Sequence, residues 1–274
     1  MNNVLLATRL RNKHTIITFW VVFAVGLVSW LMGAEIIPVL WSYGPDVNCS
    51  YKEYVLFMWD QLLCWEMFID SMMRYIIIIF PILIGFCVVG FVDELNSYHV
   101  LGAIRLRSRN RALVKSLLSH TIIGGVVTVM PLIILTICVD YLMYPAITTI
   151  SGIATLFPEN FYYQHPLVVY LAMMFIIYIP TACVYANIAL AIGIVTRDKI
   201  KVILIPEAVY ILLNYISMFT HGKSMTSAAD LLWSYNTSST FSDLMVELVV
   251  QVIIAFACSV IALHIDKSRK LIIQ

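Results

Sequence analysis

Charged side chains are scarce in this sequence. Asp, Glu, Lys and Arg make up 12% of the 274 residues, whereas soluble domains carry roughly 25%. Hydrophobic residues make up 61% of the chain, and the mean hydropathy is +0.91. This composition excludes an ordinary water-soluble domain and indicates an integral membrane protein.

The motifs of several enzyme classes are also missing. The one Gly-Lys-Ser stretch, at 222–224, lacks the earlier glycine of a phosphate-binding loop. Neither a Gly-x-Ser-x-Gly nor a His-Glu-x-x-His sequence occurs, and the six cysteines have no zinc-site spacing. We therefore expect no catalytic residue, bound metal or cofactor of its own, and no nucleic-acid partner.

Long apolar stretches dominate what is present. A helix needs about 20 mostly apolar residues to cross the hydrocarbon layer of a membrane. Internal repeats, low-complexity tracts and Gly/Ser linkers are absent, which predicts one all-α transmembrane domain over residues 1–274. Six stretches meet the length requirement: 16–37, 75–92, 117–142, 167–195, 202–219 and 244–263.

The basic residues predict the orientation of these spans. With the N-terminus inside, the inner segments hold 14 of the 17 Lys and Arg residues. Most acidic loop residues fall in the outer segments, so the bias is consistent along the chain. Because basic residues near span ends favour the cytoplasmic side, we expect both termini in the cytoplasm.

The first outer segment has an amphipathic pattern. Within residues 53–70, apolar side chains recur at helical spacing and acidic side chains gather on the other side. The pattern predicts a helix that lies in the outer headgroup layer or packs onto the spans. Cys49 and Cys64 belong to this segment, where a disulfide is one alternative and two free thiols the other.

A few polar side chains fall inside the predicted spans. Ionisable groups are costly there and face the bundle interior or a water-filled path. Two interpretations stay open, a path for cargo or ions and polar packing between helices. Glu207 could also form an ion pair with Arg197 or Lys199. The candidates are Asn187, Glu207, Asn214 and Glu247.

Residues 93–115 form a polar segment between the second and third stretches. Read as a helix, it begins with two acids and places Leu95, Tyr98, Leu101 and Ile104 near one face. Four arginines at alternate positions between 105 and 111 then spread around the backbone. The segment is either a membrane anchor on anionic headgroups or a helix that docks on a soluble protein.

This segment resembles the intracellular loop of type-2 ABC exporter permeases. In that family an acidic residue closes the second span, a short coupling helix follows, and a Ser-Arg pair precedes a Lys. Glu94, Ser108, Arg109 and Lys115 match in kind and approximate spacing, and residues 190–199 resemble the end of the family's fourth span. Ser97-Tyr98 departs from a common Gly-Thr, and no proline precedes Ser108.

The resemblance implies a permease subunit in a bacterial plasma membrane that pairs with itself or a relative. Separate ATP-binding subunits, which hold ATP and Mg²⁺, would contact Glu94, Leu95, Tyr98, Leu101, Ile104 and Arg109. The expected cargo is amphipathic or lipophilic, such as a peptide, antibiotic or lipid. The alternatives are a sensor or immunity protein that binds a peptide or lipid through its outer segment and, third, a membrane-embedded enzyme.

Overall fold

The computed structural model describes residues 12–34, 41, 50–97, 109–143, 153–158, 160–219, 227–233, 235 and 240–273. Within these residues the regular structure is helical, as the sequence predicts. Six helical segments in this part of the chain are long and apolar enough to cross a membrane. The all-α, multi-pass architecture is therefore confirmed, and the orientation of the spans stays a prediction.

We number the six segments as spans 1 to 6 in chain order. Span 2 consists of two consecutive helices, and span 4 contains a π-helical turn between two α-helices. Their bounds are Lys13–Gly33 for span 1, Trp65–Val88 and Gly90–Ser97 for span 2, Arg109–Val139 for span 3, Pro166–Met173, Met174–Tyr178 and Ile179–Thr196 for span 4, Lys199–Phe219 for span 5, and Phe241–Ile273 for span 6.

Shorter helices connect the spans. An α-helix at Tyr51–Leu62 precedes span 2, and its first turn is closed by reciprocal hydrogen bonds between Ser50 and Glu53. The Ser50 backbone N–H and hydroxyl hold the pKa of Glu53 below its usual value. The remaining short elements are α-helices at Phe161–Gln164 and Ala228–Leu232, and 3₁₀ turns at Asp140–Leu142 and Ile153–Leu156.

The prediction of one outer helix over residues 53–70 is wrong. The helix ends at Leu62, and span 2 begins at Trp65, ten residues before its predicted start at 75. Trp65 and Ile69 belong to the buried face of span 2, since their exposed fractions are 2% and 0%. The apolar stripe read from the sequence therefore combines the faces of two helices.

The charged residues Asp70 and Arg74 are compatible with the start of span 2 because their side chains have partners nearby in space. Asp70 and Arg74 lie one turn apart and form an ion pair at 3.1 Å. The Tyr235 hydroxyl also donates to Asp70, at 3.4 Å. A carboxylate satisfied in this way can remain in the outer turns of a long helix.

The other predicted boundaries are shifted at helix ends. Span 1 ends at Gly33, short of the predicted 37, while span 3 starts at Arg109 instead of 117. Span 6 continues to Ile273, ten residues beyond the predicted 263. At 1.5 Å per residue it is roughly 50 Å long, longer than a hydrocarbon layer of about 30 Å, so its polar end extends past the layer.

Span 4 lies at the centre of the bundle. It packs against spans 2, 3, 5 and 6, whereas span 1 packs against spans 2 and 3. Its inward residues Tyr170, Tyr178 and Tyr185 are among the largest fully buried side chains. Its π-helical turn ends at Tyr178, two residues before Pro180, which has no backbone N–H to donate to a carbonyl in the preceding turn.

Glycines allow two of these helix pairs to approach closely. A Cβ on Gly85 of span 2 would lie 2.8 Å from the Val202 carbonyl oxygen and 2.9 Å from the Ile203 Cα of span 5. A Cβ on Gly125 of span 3 would meet backbone atoms of span 4 at 3.1 and 3.2 Å. Residues without a side chain are thus required where backbones meet.

Candidate functional site

The last turns of span 2 carry the start of the predicted coupling segment. Glu94 accepts a hydrogen bond from the Ser116 hydroxyl of span 3 at 2.9 Å. Its other carboxylate oxygen lies 3.5 Å from Nε2 of His120, also on span 3. The His120 side chain is only 7% exposed, so this contact lies between the helices. Glu94 therefore connects the end of span 2 to span 3.

Two ion pairs are found near the same end of the bundle. Lys199, the first residue of span 5, donates to Asp93 at 2.6 Å. Arg197, in the turn between spans 4 and 5, lies 3.7 Å from Asp266 of span 6. Together with Glu94 and His120, these pairs form a set that we call the ion-pair layer. It joins span 2 to spans 3 and 5, and the turn after span 4 to span 6.

The ion pair between Asp93 and Lys199 positions spans 2 and 5 more than it stabilises them. The side chains of Asp93 and Lys199 are 50% and 49% exposed. Exposed pairs of this kind contribute about 0–1 kcal/mol to stability. What the layer supplies is a defined geometry, in which Asp93 and Glu94 link residues 93–115 to two other spans.

The structure locates only part of the predicted docking face. Leu95 is partly buried and packs against the core of the chain's own helices. Tyr98, Leu101 and Ile104 lie outside the described residues, and Arg109 is the first residue of the span 3 helix. The helix continues only through Ser97 in the described part, so the coupling helix up to Ile104 stays a prediction.

Two of the four predicted intramembrane polar residues take part in packing. Asn187 of span 4 accepts a hydrogen bond from the Ser259 hydroxyl of span 6. Asn214 of span 5 accepts one from the Ala229 backbone N–H at 3.1 Å. This second bond satisfies a donor at the start of the short helix Ala228–Leu232. Both asparagines thus join neighbouring elements, which fits the interpretation as polar packing between helices.

Glu207 does not form the ion pair suggested by the sequence. Arg197 and Lys199 instead bond to Asp266 and Asp93 in the ion-pair layer, because those carboxylates lie at the same end of the bundle. One oxygen of the Glu207 carboxyl group is buried and has no hydrogen-bond partner.

The Glu207 carboxyl group interacts with the Ile82 backbone of span 2 and lies near two buried tyrosines. Its carboxyl group interacts electrostatically with the hydroxyls of Tyr185 on span 4 and Tyr210 on span 5. The two rings make an edge contact, with centroids 5.6 Å apart and an interplanar angle of 77°. The Tyr185 side chain is fully buried, and its hydroxyl has no hydrogen-bond partner. We call Glu207, Tyr185 and Tyr210 the Glu207 cluster.

A second group of polar atoms without partners lies on span 6. Glu247 and Gln251 are one helical turn apart, and a carboxyl oxygen of Glu247 is buried without a hydrogen bond. Gln251 is 1% exposed, and neither its amide nitrogen nor its amide oxygen has a partner. Buried amides normally form at least one hydrogen bond, so Gln251 is unusual in that neither of its amide atoms has a partner.

Sequence reasoning missed several residues of these sites. Ser116 and His120 carry no recognisable motif, and Tyr185 and Tyr210 count as ordinary aromatic residues in an apolar stretch. Cys64 is a free, buried cysteine, which agrees with the alternative of free thiols rather than a Cys49–Cys64 disulfide; Cys49 itself lies outside the described residues.

No protein-family model, curated protein or solved structure matches this chain.

Proposed function

We propose that this chain is the membrane-spanning permease subunit of an ATP-driven exporter in a bacterial plasma membrane. The observation that carries the proposal is the attachment of Glu94 to span 3 through Ser116 and His120. A force applied to residues 93–115 would therefore act on spans 2 and 3 together, and not on span 2 alone. Six apolar spans and the resemblance of this segment to the coupling loop of type-2 ABC permeases support the same function.

In this mechanism a soluble ATP-binding subunit contacts the apolar stripe at Leu95, Tyr98, Leu101 and Ile104. Because Leu95 is partly covered by the core, the three later residues supply most of the docking face. Closure of the ATP-binding subunits would shift the bundle between inward-open and outward-open states. Such a shift requires that these subunits bind the two states with unequal affinity.

The proposed complex contains two permease chains and two ATP-binding subunits. A second copy of this chain or a related permease supplies the other six spans, as the resemblance implies. The cargo of the complex would be amphipathic or lipophilic, since the spans offer few charged groups. Nucleotide hydrolysis belongs to the partner subunit, because this sequence carries no phosphate-binding loop.

One observation favours the second candidate function, a sensor or immunity protein that binds a peptide or lipid. The helix Tyr51–Leu62 exposes large apolar side chains, with Leu56 59% and Phe57 65% exposed. An apolar surface of this kind suits a headgroup layer as well as a ligand. It is compatible with a permease, and so we rank this function second.

Co-purification tests the proposal. An affinity-tagged chain solubilised from its native membrane is expected to retain a protein that contains a complete Gly-x-x-x-x-Gly-Lys-Ser/Thr loop, identified by mass spectrometry. Leu101→Asp combined with Ile104→Asp should abolish this association, because two carboxylates would occupy the apolar docking face.

A matched pair of substitutions on the predicted outer side of the membrane serves as the control. Leu56→Asp combined with Phe57→Asp places the same charges on the exposed helix Tyr51–Leu62 and should leave the association intact. The exporter proposal fails if no ATP-binding subunit is retained. Loss of function in the Leu56 and Phe57 variant alone would instead support the sensor or immunity protein.

A further inference from the structure

The Glu207 cluster lies far from the ends of spans 4 and 5, and Glu207 itself is half-buried. Glu207 is eight residues after the start of span 5, which is about 12 Å along the helix at 1.5 Å per residue. Tyr210 is eleven residues from that start, and Tyr185 is eleven residues before the end of span 4. Both tyrosines therefore lie about 16 Å from the same end of the bundle. This depth is near the middle of a hydrocarbon layer of about 30 Å.

In the described parts of spans 4 and 5, no lysine or arginine lies at this depth. No lysine or arginine occurs between Lys115 and Arg197, or between Lys201 and Lys223. The basic residues that precede Glu207, namely Arg197, Lys199 and Lys201, form ion pairs with Asp266, Asp93 and Asp198 respectively. Among the residues that the structure describes, Glu207 therefore has no basic partner, although a charge removed from water needs one to offset its lost hydration.

The tyrosines add features that a cation would use. An aromatic ring attracts a cation to its face, and this attraction increases when water is excluded. The hydroxyl of Tyr185 is fully buried and has no partner, so it is available to a ligand. A carboxylate beside two tyrosines would repel an anion, and it would offer no advantage to a purely apolar molecule.

We propose that Glu207, Tyr185 and Tyr210 bind the cationic group of an amphipathic cargo. The inference deepens the proposed exporter function and rests on it for transport, although binding itself requires no ATP-binding subunit. The carboxylate neutralises the positive charge, and the neighbouring aromatic rings add a cation–π attraction. The apolar part of the same molecule remains among the hydrocarbon side chains of spans 4 and 5.

Equilibrium binding of tritiated tetraphenylphosphonium tests this site. The full chain is placed in phosphatidylcholine nanodiscs, and empty nanodiscs define the background from partition into lipid. We expect saturable binding above this background. Glu207→Gln keeps the shape of the side chain and removes its charge, so it should weaken binding about tenfold or more. Tyr185→Phe keeps the ring and should weaken binding by less than about threefold.

Asp140→Asn is the matched control, since it also removes one carboxylate but at an exposed position after span 3. Its affinity for tetraphenylphosphonium should equal that of the parent chain. The site is refuted if the parent binds no more cation than empty nanodiscs, or if Glu207→Gln binds as tightly as the parent. The second result would fit a Glu207 carboxyl group that stays protonated and neutral.

A second measurement uses the unaltered chain, so its result does not require that a substituted chain folds. Dicyclohexylcarbodiimide enters membranes and modifies accessible protonated carboxyl groups, which mass spectrometry can assign to a residue. Tetraphenylphosphonium should protect Glu207 from modification, and equal labelling with and without the cation would contradict the site. A chain that binds the cation but retains no ATP-binding subunit would overturn the exporter function and leave the cation site standing.

Discussion

Gly85→Ala is expected to lower the free energy of unfolding by about 1–3 kcal/mol, the range for adding a methyl group to a close-packed contact. The added Cβ would lie 2.8 Å from the Val202 carbonyl oxygen and 2.9 Å from the Ile203 Cα. Both are backbone atoms, so spans 2 and 5 must move apart to admit it. Unfolding of the purified chain in mixed micelles with increasing dodecyl sulfate measures the change.

Gly26→Ala provides the matched control. Gly26 is also a buried helical glycine, but a Cβ there would meet only the ends of the Leu132, Leu135 and Ile76 side chains, at 3.2, 3.4 and 3.7 Å. Since alanine favours a helix over glycine by up to about 1 kcal/mol, this variant should be neutral or more stable. Equal effects of the two substitutions would contradict the close approach of spans 2 and 5.

Glu94→Ala is expected to be the second large change, with a loss of about 1–3 kcal/mol in unfolding free energy. The substitution removes the hydrogen bond from Ser116 and the contact with the buried His120. Glu94→Gln should cost less, because the amide oxygen still accepts from a hydroxyl while only the charge is lost. The same unfolding measurement in mixed micelles ranks the two variants.

Asp140→Ala tests whether loss of any carboxylate has this effect. Asp140 is exposed and follows the end of span 3 that lies away from Ser116 and His120, so its removal should change the unfolding free energy by no more than about 0.5 kcal/mol. If Glu94→Ala were as stable as Asp140→Ala, the contact between spans 2 and 3 would have no structural role. The coupling proposal would then lose its physical basis.

The helical architecture could be predicted because a membrane leaves few alternatives. In hydrocarbon the backbone must satisfy its own hydrogen bonds, so a long apolar stretch becomes a helix regardless of its neighbours. Helix ends depend on tertiary contacts instead. The start of span 2 was missed because Asp70 is satisfied by Arg74 and by Tyr235, which is 165 positions away.

The contacts of the candidate sites were less accessible to sequence reasoning. The resemblance to ABC permeases identifies Glu94 as the acidic residue that closes span 2. Its partners Ser116 and His120 belong to span 3, whose apolar residues are spread around the helix and so do not predict which face turns toward Glu94. Glu207 was noted as an ionisable residue in a span, yet its surroundings depend on the pairing of spans 4 and 5. No local pattern specifies which helices pair in an apolar bundle.

The role of residues 93–115 as a docking site is the central claim, and photo-crosslinking tests it most directly. Leu101 is replaced by p-benzoylphenylalanine, and intact cells are illuminated before the tagged chain is purified. We expect a covalent adduct with a protein that contains a complete phosphate-binding loop, and no such adduct when Leu56 is replaced instead. An adduct at position 101 with lipid alone, or with no ATP-binding protein, would contradict the claim.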